Sequence, residues 1–218
     1  MSGDGAQRGS DHAVVFDLGG VICAFHPDRR LRALSDASGL PAGLVHDAIW
    51  GSGLDARAEQ GGLTPDETFE AVSKALDGRL ARAALRAAWS HAFVPDESVC
   101  RLVQSVRAPR YVFTDNGPIV TDCLSHELES VALLVERVVC SWEVQACKPD
   151  PVAFERLARQ LQRSPSEITF IDDTEANCQA AASTGMRALH FRDASELRRR
   201  LVQMDLVTTS PARAPGQG

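Results

Sequence analysis

The sequence predicts an α/β protein: a parallel sheet core into which an α-helical segment is inserted. Two observations predict it. Short apolar runs alternate with helical patterns over the second half of the chain, and the stretch between the first run and the rest is helical throughout. Four runs read as buried strands, at residues 13–18, 110–114, 137–141 and 168–171. Each is short and rich in Val, Ile or Phe, as strands covered on both faces are. A weaker fifth run lies at 187–191.

Helical patterns follow the later strands. One runs over 118–128. A second, over 149–162, opens on Pro-Asp-Pro, which suits a first helical turn. A third, over 175–184, is stopped by Gly185. Residues 26–93 show helical periodicity and no strand, with helices expected at 28–37, 42–50, 64–76 and 79–91. Thr64-Pro65-Asp66-Glu67 reads as a capping box, and Gly51, Gly53, Gly61 and Gly62 break the pattern between helices. The expected organisation is a core of 11–25 and 94–207, a helical module of 26–93, and flexible tails at 1–10 and 208–218.

Length and composition bound the function. A chain of 218 residues can bury one good core, or a core plus a small module. Hydrophobic residues at 44% and charged residues at 24% are ordinary for a soluble globular protein. No apolar run approaches the ~20 residues that span a bilayer. The polar start, MSGDGAQRGSDH, has no apolar signal segment, so a cytoplasmic protein with no membrane partner is expected. The net charge of -6 argues against nucleic acid as a partner, but leaves room for a small anionic ligand at a local positive site. Lys74 and Lys148 are the only lysines. The six cysteines form no CxxC pair and no zinc spacing, and read as small buried hydrophobes. The sequence sets no oligomeric state.

Four short segments carry chemistry, each where a predicted strand ends or a helix begins. The carboxyl ends of parallel strands are where ligands bind, so distant positions converge there. In VVFDLGGVI, Asp17 ends an apolar run, and Gly19 and Gly20 let the backbone turn sharply against a ligand. Taken alone, this is equally an Asp-Gly turn. In YVFTDNG, the Thr114 hydroxyl and the backbone N–H groups of the turn through Asp115 and Asn116 can hold phosphate oxygens, though alone the segment reads more readily as a threonine in an Asp-Asn-Gly turn. In ACKPDP, Lys148 precedes a helix-opening proline, where it can neutralise a phosphate or a carboxylate, or simply be a surface lysine. In ITFIDDTEAN, the adjacent Asp172 and Asp173 follow a buried run. Burying two carboxylates together asks for a cation, and oxygen ligands suit Mg²⁺; the pair can also be an N-cap Asp with a neighbour on the surface. Asn177, a turn further on, can orient Lys148 or a carboxylate.

In this order, Asp17, Thr114, Lys148 and Asp172/Asp173, the sequence resembles the haloacid dehalogenase superfamily over residues 13–206, most closely its small sugar-phosphate phosphatases. The resemblance implies a Rossmann-like core with the 26–93 segment as an α-helical cap domain. It implies a phosphatase acting on a small phosphorylated metabolite, with Asp17 as nucleophile and Thr114 and the Asp115 N–H on the phosphate. Lys148 would offset charge, and Mg²⁺ would be held by Asp17, the Gly19 carbonyl, Asp172 and Asp173. Two positions depart from the family pattern. Gly19 stands where most members carry an Asp that protonates the leaving oxygen, so either the leaving group needs little protonation, or His26, Asp55 or Glu59 substitutes, or the protein mainly binds. The first is favoured. Asp115 stands where Asn is usual. In the implied cap, WGSGLDARAEQGG reads as a polar, glycine-bounded loop from which Arg57 can reach an anionic substrate and Trp50 can stack on a ring, though a solvated surface arginine and a tryptophan in the cap core are the more ordinary readings. Competing readings are a non-catalytic binding protein and a 2-haloacid dehalogenase. The latter fits poorly, since it needs no metal and usually has an aromatic residue at the position of Gly19.

Overall fold

The computed structural model describes residues 12–208. The expected tails lie outside the described residues, apart from Thr208. β1 (Ala13–Phe16) is buried along its length and is followed by β2 (Cys23–Phe25). Then come α1 (Pro27–Ser38), α2 (Ala42–His46), a π-helical turn at Asp47–Gly51, α3 (Leu54–Glu59), α4 (Pro65–Ala75) and α5 (Arg82–Ser90). β3 (Phe93–Pro95) and α6 (Glu97–Ser105) lead into β4 (Arg110–Thr114). After it run α7 (Pro118–Leu124), α8 (Glu129–Ala132), β5 (Arg137–Cys140), α9 (Ser141–Val144), α10 (Pro151–Gln160) and β6 (Ile168–Asp172). α11 (Glu175–Ser183), β7 (Arg187–His190) and α12 (Ala194–Gln203) complete the described chain.

The sheet order is β5-β4-β1-β6-β7, and every pairing is parallel. Val15 lies between Tyr111 and Phe170 in register, so the carboxyl ends of β1, β4 and β6 reach one edge together. That edge carries Asp17, Thr114 and Asp172. Alternation along the strands divides the core. Val15, Phe113 and Phe170 face one side with Phe154 and Leu157 of α10, while Val14, Phe16, Val112 and Ile171 face the other. Phe154 meets Phe113 and Phe170 edge-on, at centroid distances of 5.9 and 5.1 Å, the arrangement aromatic quadrupoles favour.

The expected α/β class, five strands and parallel order are all present. Ends differ locally: the first run stops pairing at Phe16, and the helix expected over 118–128 ends at Leu124. The 26–93 stretch is not free of strand, because Phe93 opens β3, which pairs antiparallel with β2. Three residues are too few to show a period of two, so this ribbon left no pattern. It is the doorway of the helical segment, pinned by Phe25 against Phe93 and by the His26 N–H to the Ala92 carbonyl at 2.7 Å. Thr64 caps α4 as expected, its side chain accepting from the Glu67 N–H while Glu67 reaches back. α5 packs on α1 and α7, so the apolar interior of the helical segment runs on into one side of the sheet. Among the described residues, no helix is long and apolar enough to cross a membrane.

Candidate active site

Each predicted strand-end residue reaches the same crevice. The Asp17 N–H donates to the Ile171 carbonyl at 2.8 Å, which fixes its backbone as β1 runs out. Its carboxylate accepts from Lys148 Nζ at 2.8 Å. The same ammonium donates to Asp172 Oδ2 at 2.7 Å. Asp172 is wholly buried, and its other oxygen accepts from the Thr174 N–H at 2.8 Å and from Asn177 Nδ2 at 3.0 Å. Asn177 thus orients a carboxylate, one of the two roles its position allowed. Asp17, Asp172 and Asp173 offer carboxylate oxygens that all lie within 4.8 Å of one another. An all-oxygen set of this kind suits a hard divalent cation.

The charge balance has physical consequences. Burial, against the pull of Lys148, pushes the Asp17 carboxyl up to about 6. Burial and then the neighbouring Asp172 push Asp173 up as well. Burial works against the Lys148 ammonium, but Asp17, Asp172 and Asp115 outweigh it, and its pKa lies above the ordinary lysine value. Three carboxylates around one ammonium remain in excess, as a site completed by a cation should be.

The glycines are explained by contact. Gly20 has φ of +88°, and a Cβ there would stand 2.2 Å from Asp173 Oδ2. Only a residue without a side chain lets that carboxylate lie against the loop. A Cβ on Gly19 would meet the Phe25 side chain at 3.4 Å, so the ring fills the space beside it. Thr114 Oγ1 accepts from Asn116 Nδ2 at 2.8 Å, and the Asn116 N–H is taken by Ser141 Oγ at 3.1 Å. Asn116 therefore braces the loop after β4, its N–H already engaged. Asp115 accepts from the Lys148 N–H at 3.1 Å, so its carboxylate ties two loops together, and burial raises its pKa.

Above these residues lies a cavity of about 600 Å³, a volume suited to a small ligand. The core supplies one wall, with Asp17, Gly19, Gly20, Thr114, Asp115, Asn116, Lys148 and Asp173. The helical segment supplies the other, with Arg30, Trp50, Asp55 and Glu59. The 50–62 stretch is not a loop but contains α3, and helical phase puts Asp55, Ala58 and Glu59 on one face. Arg57 falls on another face, exposed, beside a separate hollow with Ala48 and Lys74. It does not reach the cavity of Asp17. His26 does not line that cavity either. Trp50 does, while its Nε1 donates to Asp55 at 2.7 Å and its ring stacks on Trp89.

Arg30 is one of several charged residues on α1 that the sequence does not set apart. It is 4% exposed, donates from Nε to the Trp89 carbonyl at 3.1 Å and lies over the Trp89 ring at 4.7 Å. Its signal was phase alone: Arg30, Leu34 and Ser38 are spaced by four, and all are buried.

Residues 12–185 match the family model of the haloacid dehalogenase-like hydrolases. A phosphatase of Mycobacterium tuberculosis is 30% identical over 195 residues, covering 81% of this chain and 85% of that protein. A D-ribitol-5-phosphate phosphatase of Bacteroides thetaiotaomicron is 23% identical over 198 residues, covering 86% and 95%. Among solved structures, a haloacid dehalogenase family enzyme of Bacteroides thetaiotaomicron, in complex with magnesium and inorganic phosphate, superposes with a TM-score of 0.70. It is 21% identical, covering 85% of this chain and 98% of that one. The L-2-haloacid dehalogenase of Xanthobacter autotrophicus is more distant, with a TM-score of 0.54 at 16% identity, covering 90% of this chain and 84% of that one. The family match over most of the chain and the 30% identical relative place it plainly: the chain belongs to the haloacid dehalogenase-like hydrolase family.

Proposed function

We propose that the protein is a magnesium-dependent phosphatase that hydrolyses a small phosphorylated metabolite, a sugar or sugar-alcohol phosphate in preference, through an aspartyl phosphate on Asp17. The observation that carries this is Lys148 Nζ bridging Asp17 and Asp172 at 2.8 and 2.7 Å, with Asp173 beside them, on the floor of a cavity open to a small ligand. The names of the two relatives, both phosphatases, support the reaction, and the ribitol phosphate named for one supports the substrate class. The Asp17, Asp172 and Asp173 cluster favours a metal enzyme over a dehalogenase, which needs no metal.

Asp17 attacks phosphorus from the cavity floor. Lys148 holds the carboxylate in place and offsets the charge of nucleophile and phosphate. Thr114, with the backbone N–H of Asp115, receives the phosphate oxygens. Magnesium would be held by Asp17, Asp172, Asp173 and the Gly19 carbonyl, and would neutralise charge on the phosphoryl oxygens. Residues 26–93 act as a cap over the core of 11–25 and 94–207, and select the substrate through Arg30, Trp50, Asp55 and Glu59.

The test is phosphate release from a panel of esters with Mg²⁺ and with EDTA: sugar 1-phosphates, sugar 6-phosphates, ribitol 5-phosphate, acetyl phosphate and nucleotides. Release that requires Mg²⁺, strongest on a sugar or polyol phosphate and abolished in Asp17→Asn, is expected. Folded protein that hydrolyses none of them would overturn the reading in favour of a binding protein.

A further inference from the structure

A sugar or polyol phosphate has an alkoxide leaving group, which departs readily only if a proton reaches its oxygen. This inference rests on the phosphatase reading and asks where that proton comes from. Two residues beyond Asp17 there is only Gly19, and the Phe25 ring occupies the space beside it. Four other carboxyl groups besides Asp17 line the cavity. Asp173 belongs to the acidic cluster, and Asp115 accepts from the Lys148 N–H. Asp55 accepts from Trp50 Nε1. The Glu59 carboxyl has no hydrogen bond or ion pair among the described residues, and Glu59 lines the cavity on the wall that the helical segment supplies.

We propose that Glu59 is the general acid and base of the reaction: its carboxyl protonates the leaving oxygen, and its carboxylate then activates the water that releases phosphate. In the first step a carboxylate oxygen of Asp17 bonds to phosphorus as the bond from phosphorus to the ester oxygen breaks. The Glu59 proton goes to that oxygen, which leaves as an alcohol. In the second step water attacks the phosphorus of the aspartyl phosphate and gives a proton to Glu59. Inorganic phosphate departs, Asp17 is again a carboxylate, and Glu59 is again an acid.

The backbone holds Glu59 to this task. It is the last residue of α3, and its carbonyl accepts from Ser141 Oγ at 2.8 Å, at the end of β5. α3 lies so close to the loop after β4 that a Cβ on Gly117 would be 3.3 Å from Ala58 Cβ. The helix end is thereby fixed over the strand ends that carry Thr114 and Asp115. Asp55 on α3, Arg30 on α1 and Asp115 after β4 are the charged groups that face Glu59. Burial first, then Asp55 and Asp115, keep the carboxyl protonated up to about 8, against the pull of Arg30. It is thus an acid at neutral pH, ready to donate.

The experiment compares native protein with Glu59→Gln, both full-length and with Mg²⁺, on ribitol 5-phosphate and on p-nitrophenyl phosphate, whose phenolate leaves unaided. The ratio kcat/KM reports only steps up to departure of the leaving group. For the alkyl ester it should fall about 10²–10⁴-fold, and for the aryl ester by less than roughly tenfold. The variant should also accumulate a phosphoryl adduct on Asp17, seen by intact mass, because water has lost its base. Equal losses on both esters, or no loss on either, would sink the proposal. If Glu59→Gln does not fold, Glu59→Asp, shorter by one methylene, carries the same comparison. Native protein inactive on both esters would remove the phosphatase reading and this inference with it, whereas an active native protein with an indiscriminate variant removes this inference alone.

Discussion

A methyl group on Gly20 would stand 2.2 Å from an oxygen of Asp173, at a backbone φ of +88°. Gly20→Ala is therefore expected to do two things. It strains the backbone by about 1–2 kcal/mol, seen as a lower thermal midpoint. It also pushes Asp173 off the cluster, so the Mg²⁺ concentration needed for half-maximal phosphate release rises. Asn177 acts one step further out, through two hydrogen bonds to Asp172 at 3.0 and 3.1 Å. Asn177→Ala should cost about 10–100-fold in Mg²⁺ affinity or activity while leaving substrate KM nearly unchanged. Lys148→Met leaves Asp17 and the wholly buried Asp172 without their counter-charge, and should destabilise the metal-free protein by about 3–5 kcal/mol in a denaturant titration. Asp17, Asp172 and Asp173 are legible in the sequence because each follows an apolar run, where a charge has no place unless it binds something, and Lys148 because it precedes a helix-opening proline. Nothing in the sequence singles out Arg30, and Glu59 stands there only as one of three candidate acids beside His26 and Asp55. Arg30 and Glu59 lie on helices among many other charges, and only the phase of each helix tells which of Arg29 and Arg30, or Arg57 and Glu59, turns inward.

At the scale of elements, the strands announced themselves through β-branched and aromatic residues, and the order of chemistry along the chain followed from parallel pairing. Two elements gave weak signals for definite reasons. The β2–β3 ribbon has three residues a side, less than two periods of alternation. α3 has six residues between glycines, less than two turns, and its composition is that of a loop. Such a helix stands because its surroundings hold it, and Ser141 is the clearest tie. Its hydroxyl, fully buried, donates to the Glu59 and Asn116 carbonyls at 2.8 and 3.3 Å and accepts from the Asn116 N–H at 3.1 Å. Ser141→Ala should therefore leave buried partners unsatisfied at about 1–3 kcal/mol, read in the unfolding midpoint. It should also lower kcat/KM for an alkyl phosphate by loosening α3 over the cavity. By contrast Thr64→Ala removes a cap from α4, which does not line the cavity of Asp17. About 0.5–2 kcal/mol of stability should go with it, and the catalytic constants should stay.

The stability of the whole molecule couples to its site through protons. Glu59 has an ordinary value of 4.5 and is held up to about 8 by burial, Asp55 and Asp115. Between those two values the folded protein binds a proton that the unfolded chain has released. Stability changes with pH as the protons bound unfolded minus those bound folded, so this difference is negative across the window. The Glu59 contribution therefore lowers stability as pH rises from about 4.5 to about 8, and flattens beyond it. In Glu59→Gln the amide stays neutral throughout, and this component of the slope disappears. Native and variant proteins, unfolded by heat at a series of pH values in EDTA, should differ little near pH 4.5, with the variant gaining steadily toward pH 8. Asp55 and Asp115 face Glu59, so the difference curve reports Glu59 together with its coupling to them. The same group should set an alkaline limb near pH 8 in kcat/KM for an alkyl phosphate, absent from the residual activity of the variant. A difference curve that is flat over this range would mean that Glu59 is ionised in the folded protein, and an ionised carboxylate has no proton to give the leaving oxygen.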